Sequence, residues 1–174
     1  MTAASPRARA AGLSELGRPS ADDGTLVHRL IDRCPPLEPN SLYCNLLQCT
    51  HFADTCVIAR QGGEAVGFLS AYLPPTRPDA VFVWQVAVGP QARKQGLGGA
   101  MLMELLARPA CARVRYLLST ITESNQPSWS LFEALARRLG AGLERKPLFD
   151  RMRHLDDKAD SETLVTIGPF EPVR

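Results

Sequence analysis

Apolar positions recur along this chain in alternating helical and strand-like blocks, the pattern of an α/β domain. Residues 12–19 can form an edge strand. Ser20-Ala-Asp-Asp-Gly-Thr then supplies capping residues and first-turn acids for a helix to about Arg33. Leu26, Val27, Leu30 and Ile31 fall on one face of it, and Pro35-Pro36 stops it. Asn40-Ser41 starts a second, short helix through Leu47. Strand-like runs follow at Thr55–Arg60 and Glu64–Leu73, joined at Gly62-Gly63 as in a hairpin. Val81–Val88 is the most apolar run and is predicted to be the central strand. A helix over Leu97–Arg108, a strand over Arg113–Ile121 and a helix carrying Ser128, Leu131, Phe132, Leu135 and Leu139 come next. Strands near Gly142–Arg151 and Glu162–Ile167 close the sheet. The predicted order is β-α-α-β-β-β-α-β-α-β-β.

Composition narrows the picture. At 174 residues and 45% hydrophobic, the chain can bury one good core, so residues 18–174 read as a single domain. Residues 1–17 read as a disordered tail, since Met1–Ala11 is rich in Ala, Arg, Ser and Pro. The tail's arginines, with Arg18, account for the net charge of +2. A neutral body argues against a nucleic-acid surface. No apolar run approaches the length of a membrane span, and the N-terminus lacks the apolar stretch of a secretion signal. A cytoplasmic location is expected, with the five cysteines as free thiols. Cys44, Cys49 and His51 invite a zinc reading, but no paired C-x-x-C knuckle accompanies them. No metal is expected.

The informative chemistry lies in Val86-Ala-Val-Gly-Pro-Gln-Ala-Arg93-Lys-Gln-Gly96-Leu-Gly98-Gly99. A strand runs into a glycine turn where a helix begins. Helix starts leave backbone N–H groups unpaired and carry partial positive charge. Glycines let a phosphate come close to those donors, and Arg93 and Lys94 add mobile charge. No Walker loop is present, and the third glycine and the acid of a dinucleotide fingerprint are not convincingly placed. A turn that merely tightens the strand-to-helix junction would use the same glycines.

Arg93-x-x-Gly96-x-Gly98 resembles the pyrophosphate loop of the GCN5-related N-acetyltransferase superfamily, and the order of elements resembles that fold, a mixed central sheet flanked by helices. The resemblance implies that the strand ending in Val86, Ala87 and Val88 pairs through its backbone with the pantetheine arm of acetyl-CoA. It also implies that Arg93, Lys94, Gln95, Gly96, Leu97, Gly98 and Gly99 hold the pyrophosphate. A second block, Asn125-x-x-Ser128-x-x-Leu131-Phe132, stands at the superfamily's spacing, which implies that Asn125, Ser128 and Phe132 line the coenzyme groove.

A narrower resemblance covers roughly residues 18–170. Cys34-Pro-Pro-Leu-Glu-Pro-Asn-Ser-Leu-Tyr43, Ala71-Tyr-Leu-Pro-Pro-Thr-Arg-Pro, Val83-Trp-Gln-Val-Ala-Val and Ile167-Gly-Pro-Phe are similar to the L-2,4-diaminobutyric acid acetyltransferases. That family's reaction moves acetyl from acetyl-CoA to the γ-amine of L-2,4-diaminobutyrate, giving a precursor of the osmotic-stress solute ectoine. A homodimer is the implied assembly. A substrate with two amines and one carboxylate needs acids and donors around it. Glu38, Asn40, Ser41 and Tyr43, between the first helices, are candidates to meet it, as is Trp84, whose ring face suits a cationic amine. The glutamate base common in the superfamily is replaced by Phe82, Trp84 and Gln85, and its tyrosine acid by Phe132. Glu38, Tyr43 and Glu162 remain as alternative bases, directly or through water. An acetyltransferase for another small diamine or amino acid, or a module that binds acetyl-CoA without catalysis, would share most of these features.

Overall fold

The computed structural model describes residues 14–173. The chain order is β1 (Glu15–Gly17), α1 (Gly24–Asp32), α2 (Leu42–Thr50), β2 (Val57–Gln61), β3 (Glu64–Tyr72), β4 (Ala80–Val88), α3 (Leu97–Leu106), β5 (Tyr116–Thr122), α4 (Gln126–Leu139), β6 (Leu143–Phe149), a short α5 (Arg151–His154) and β7 (Glu162–Ile167). No helix of the described residues is long and apolar enough to cross a membrane.

All seven strands join one sheet in the order β1-β2-β3-β4-β5-β7-β6, with β4 at its centre. Every neighbouring pair is antiparallel except β4 with β5. That parallel pair is short: Ala80, Val81 and Phe82 face Tyr116, Leu117 and Leu118, and the ladder stops there. Beyond it β4 stays with β3 as far as Val88, and β5 stays with β7 as far as Thr122. The two central strands therefore part, and a wedge opens in mid-sheet.

Helices cover both faces. Met101, Leu102 and Leu105 of α3 and Trp129, Phe132 and Leu135 of α4 pack with Val81, Val83, Leu117, Ile121, Val165 and Ile167. Val27, Leu30 and Ile31 of α1, with Cys49 of α2, pack on the opposite face against Ile58, Phe68 and Ala87. Alternate burial of Val57 and Ile58 on the two sides is the strand period written into packing. The α1 entry is pinned by a buried carboxylate: Asp23 accepts from the Ser20 amide at 2.7 Å and from Arg60 Nη2 at 2.7 Å.

Several boundaries differ from the sequence pattern. The edge strand expected over residues 12–19 is the shorter Glu15–Gly17, which pairs with Ile58–Arg60 and overlaps the end of the expected tail; residues 1–13 lie outside the described residues. The strand predicted from Thr55 starts at Val57, because Thr55 is the end of a 3-10 turn and gives its hydroxyl to the Ala71 carbonyl at 2.6 Å. Helix α2 runs past Leu47 to Thr50, burying Gln48 and Cys49. Helix α3 ends at Leu106, and Arg108, instead of extending it, reaches the carbonyls of Ala53 and Cys56. Strand β5 begins at Tyr116, later than the apolar run. Strand β6 stops at Phe149, where the Asp150 carboxylate caps the unpredicted α5 through the amides of Met152 and Arg153.

Candidate active site

The segment whose sequence resembles a coenzyme-binding loop lies at the wedge and in the turn that follows β4. From Val83 to Val88 one edge of β4 has no strand beside it; the Val83 carbonyl accepts from Ser119 and the Val88 carbonyl from Arg93, and the stretch between them is left without a neighbouring strand. The chain then turns through a 3-10 segment, Pro90–Ala92, and enters α3 at Gly96. Gly96 caps the helix with φ +73°, a left-handed conformation that an L side chain adopts only under strain. No side chain caps this end, and the amides of Leu97, Gly98 and Gly99 precede the first turn's closure at Ala100 N–Gly96 O. Such amides are anion donors.

The glycines divide their roles. A Cβ at Gly96 or Gly99 would meet nothing within 4 Å, whereas one at Gly98 would stand 3.3 Å from Leu131 of α4 and 3.8 Å from Val86. Gly98 therefore lets α3 approach α4 and β4, and open space lies over Gly96 and Gly99. Arg93 turns back on its own loop, Nε donating to the Val88 carbonyl at 3.1 Å, and Gln95 donates to the Gln91 carbonyl at 3.0 Å. Lys94 is exposed, in a left-handed conformation of φ +60°. Across the wedge Asn125 caps α4, accepting from the Ser128 amide at 3.2 Å, and both residues are half-buried. Phe132 is 3% exposed and packs in the core under α4.

On the acceptor side a β-bulge sets the geometry. Ser70 faces Gln85 and Ala71 faces Val83, so Trp84 is an extra residue in β4. Val83 and Val86 both pack toward α3 and α4, which leaves Trp84 and Gln85 side by side on the face that carries α1 and α2. Trp84 is 51% exposed, so it is no core residue. By strand alternation from buried Val165 and Ile167, Glu162 projects to that same face, in register with Thr122 at the far end of the wedge. Tyr43, in the first turn of α2, is 69% exposed. Ser41 caps α2, its hydroxyl accepting from the Cys44 amide at 3.1 Å. Glu38 is exposed and Asn40 half-buried in the loop between α1 and α2. The sequence-predicted acceptor residues thus gather on one side of the sheet.

Gln85 was absent from that set. It donates from Nε2 to the Glu38 carbonyl at 3.0 Å, and its Oε1 accepts from Asn40 Nδ2 at 3.4 Å. In sequence it registered only as a missing glutamate; a lone polar residue inside an apolar strand was the available signal.

The cysteines are free and, apart from half-buried Cys44, buried. Burial pushes the Cys49 thiol up to about 12 and those of Cys56 and Cys111 up to about 11, and raises Cys34 and Cys44 as well. None is prepared as a nucleophile. Among the described residues no cluster of three or more His, Cys, Asp or Glu side chains is placed to hold a metal.

Known proteins resemble this chain in sequence and in fold. A profile of the acetyltransferase (GNAT) family matches residues 25–136. An L-2,4-diaminobutyric acid acetyltransferase of Methylotuvimicrobium alcaliphilum is 51% identical, covering 91% of this chain and 92% of its own. Another, of Chromohalobacter salexigens, is 46% identical over 89% of this chain and 81% of its own. A diaminobutyrate acetyltransferase from Paenibacillus lautus, solved with L-2,4-diaminobutyric acid and coenzyme A, superimposes with a TM-score of 0.87. It is 38% identical, over 91% of this chain and 96% of its own.

Proposed function

Because this chain belongs to the GNAT acetyltransferases and, within them, to the L-2,4-diaminobutyric acid acetyltransferases, we propose that it transfers acetyl from acetyl-CoA to the γ-amine of L-2,4-diaminobutyrate. The product, N4-acetyl-L-2,4-diaminobutyrate, feeds ectoine synthesis under osmotic stress. One observation carries the site assignment. The wedge between β4 and β5 opens beside the unpaired amides of α3 on one side and beside Trp84 and the α1–α2 loop on the other.

The γ-ammonium loses a proton and its nitrogen attacks the thioester carbonyl directly. The thiolate then leaves and takes a proton from water. Glu38, Tyr43 and Glu162 are the candidate bases; the raised cysteine thiols favour direct attack over an acyl-enzyme. Glu38, Asn40, Ser41, Tyr43 and Trp84 receive the acceptor, with carboxylate and ring face meeting its ammonium groups. Val86, Ala87 and Val88 pair with the pantetheine arm, the amides from Arg93 to Gly99 hold the pyrophosphate, and Asn125 and Ser128 line the far wall. Positioning of this kind can supply about 7–11 kcal/mol of barrier reduction.

The enzyme acts in the cytoplasm, where acetyl-CoA is available and its thiols stay reduced. It works as a homodimer. Support comes from strand β6 at the sheet's edge, where Leu148, Phe149 and neighbouring Met152 stand in solvent.

Thiol release from acetyl-CoA, measured with and without diaminobutyrate, tests the function, and NMR of the product locates the acetyl group. Diaminobutyrate-dependent release and acetyl on the γ-nitrogen are expected. Equal use of simple diamines, or acetylation at the α-nitrogen, would overturn the substrate assignment.

A further inference from the structure

Apart from the indole of Trp84, Gln85 is the one polar side chain of β4, and it stands beside the bulge at Trp84. Its amide uses both ends at once, donating to the Glu38 carbonyl at 3.0 Å and accepting from Asn40 Nδ2 at 3.4 Å. Both partners lie in the loop between α1 and α2. That loop is held at its start, where Cys34 packs in the core and its thiol reaches the Val88 carbonyl at 3.5 Å. It is held at its end by the Ser41 cap on α2. Between these two points Gln85 ties it to the central strand.

We propose that Gln85 is a positioning residue for acceptor recognition: it clamps the Glu38–Asn40 loop over β4 and so sets the spacing between Glu38 and Trp84. The inference rests on the acceptor reading above. Only an amide satisfies both bonds. A carboxylate in its place would face the Glu38 carbonyl with a second acceptor, and an alanine would leave both partners to water. The coenzyme half of the site is untouched by either change, because Gln85 points to the α1–α2 face and the α3 amides lie beyond Val88.

The test uses Gln85→Ala and the near-isosteric Gln85→Glu in the full chain. Both should raise the diaminobutyrate KM about tenfold, which corresponds to about 1.4 kcal/mol of lost binding, while the acetyl-CoA KM stays within about twofold. Hydrogen exchange over residues 35–41 should quicken in both Gln85 variants, while α3 and α4 keep their protection; this readout needs no turnover. Unchanged loop exchange, or unaltered diaminobutyrate KM in both variants, would falsify the clamp. A wild-type protein that ignored diaminobutyrate would instead sink the substrate reading, and loop exchange would still decide whether Gln85 holds the loop.

Discussion

Ser119 donates its hydroxyl to the Val83 carbonyl at 3.0 Å, one residue past the last paired position of β4 and β5. The bond is buried and closes the apex of the wedge. It satisfies a carbonyl that the parting ladder would otherwise leave without a partner. Ser119→Ala should therefore cost about 1–3 kcal/mol, the penalty of an unsatisfied buried acceptor. For a chain of this size that is a fall of several degrees in Tm, measured by thermal unfolding. Ser119→Thr should retain most of the stability, since it keeps the hydroxyl.

Gly96 and Gly98 should fail for different reasons. Gly96→Val places a side chain at φ +73° in the mouth of the anion site, so the acetyl-CoA KM should rise about tenfold, equal to about 1.4 kcal/mol of binding. Gly98→Ala meets Leu131 at 3.3 Å, so much of its effect should appear as lost stability and be relieved by Leu131→Ala. Steady-state kinetics alongside denaturation separates the two. Normal coenzyme affinity in Gly96→Val would remove the loop from the pyrophosphate site. Arg93→Ala should weaken coenzyme binding less than Gly96→Val, because backbone donors remain and Arg93 is already turned toward Val88.

Acid sensitivity should centre on Asp23. Burial acts to raise its pKa, but the hydrogen bond and charge of Arg60, with the Ser20 bonds, hold it below the ordinary 3.8. A carboxyl depressed in the folded state gives stability that is complete above the unfolded value and lost as pH falls through the folded one. The Asp23 contribution should thus be full at neutral pH and disappear below 3.8. Asp23→Asn should lower stability at pH 7 by about 2–3 kcal/mol, as for a charge-assisted bond. Its urea midpoint should then fall less steeply with acid than that of wild type.

Thiol titration should follow burial. Cys44 is the only half-exposed cysteine, so a thiol reagent should modify at most about one group rapidly in native protein and all five after denaturation. Activity should survive both a chelator and slow alkylation at neutral pH. Loss on chelation with recovery by zinc would reverse the free-thiol assignment.

Glu38→Ala and Trp84→Ala should depress diaminobutyrate turnover and leave acetyl-CoA affinity near wild type. Removing the substrate carboxylate should cost more than adding one methylene, since a site built around polar groups is left with unpaired partners. Acceptor profiling with a simple diamine and with the longer homologue gives the comparison.

Local chemistry made most of the fold legible. Helix α1 begins at acids and ends before Pro35-Pro36, and Ser41 caps α2 as its position indicates. The apolar run at Val81–Val88 identified the central strand because a strand covered on both faces needs apolar residues on both. The glycine turn was readable for the same reason, since it depends on backbone conformation and on bonds a few residues away.

What depended on distant parts of the chain was not readable. The bulge at Trp84 is a mismatch between β4 and β3, and nothing within either strand announces it. The wedge exists because β4 follows β3 while β5 follows β7. Gln85 acquires its role only when a loop 45–47 residues earlier folds over it. The sequence by itself determined most of the elements and the glycine turn, since those follow from short-range propensity and residue type, and its resemblance to a known family supplied the kind of chemistry. The tertiary structure alone decided which strand edge stays open and which side chains share a face, because register and packing are set by contacts between segments far apart in the chain.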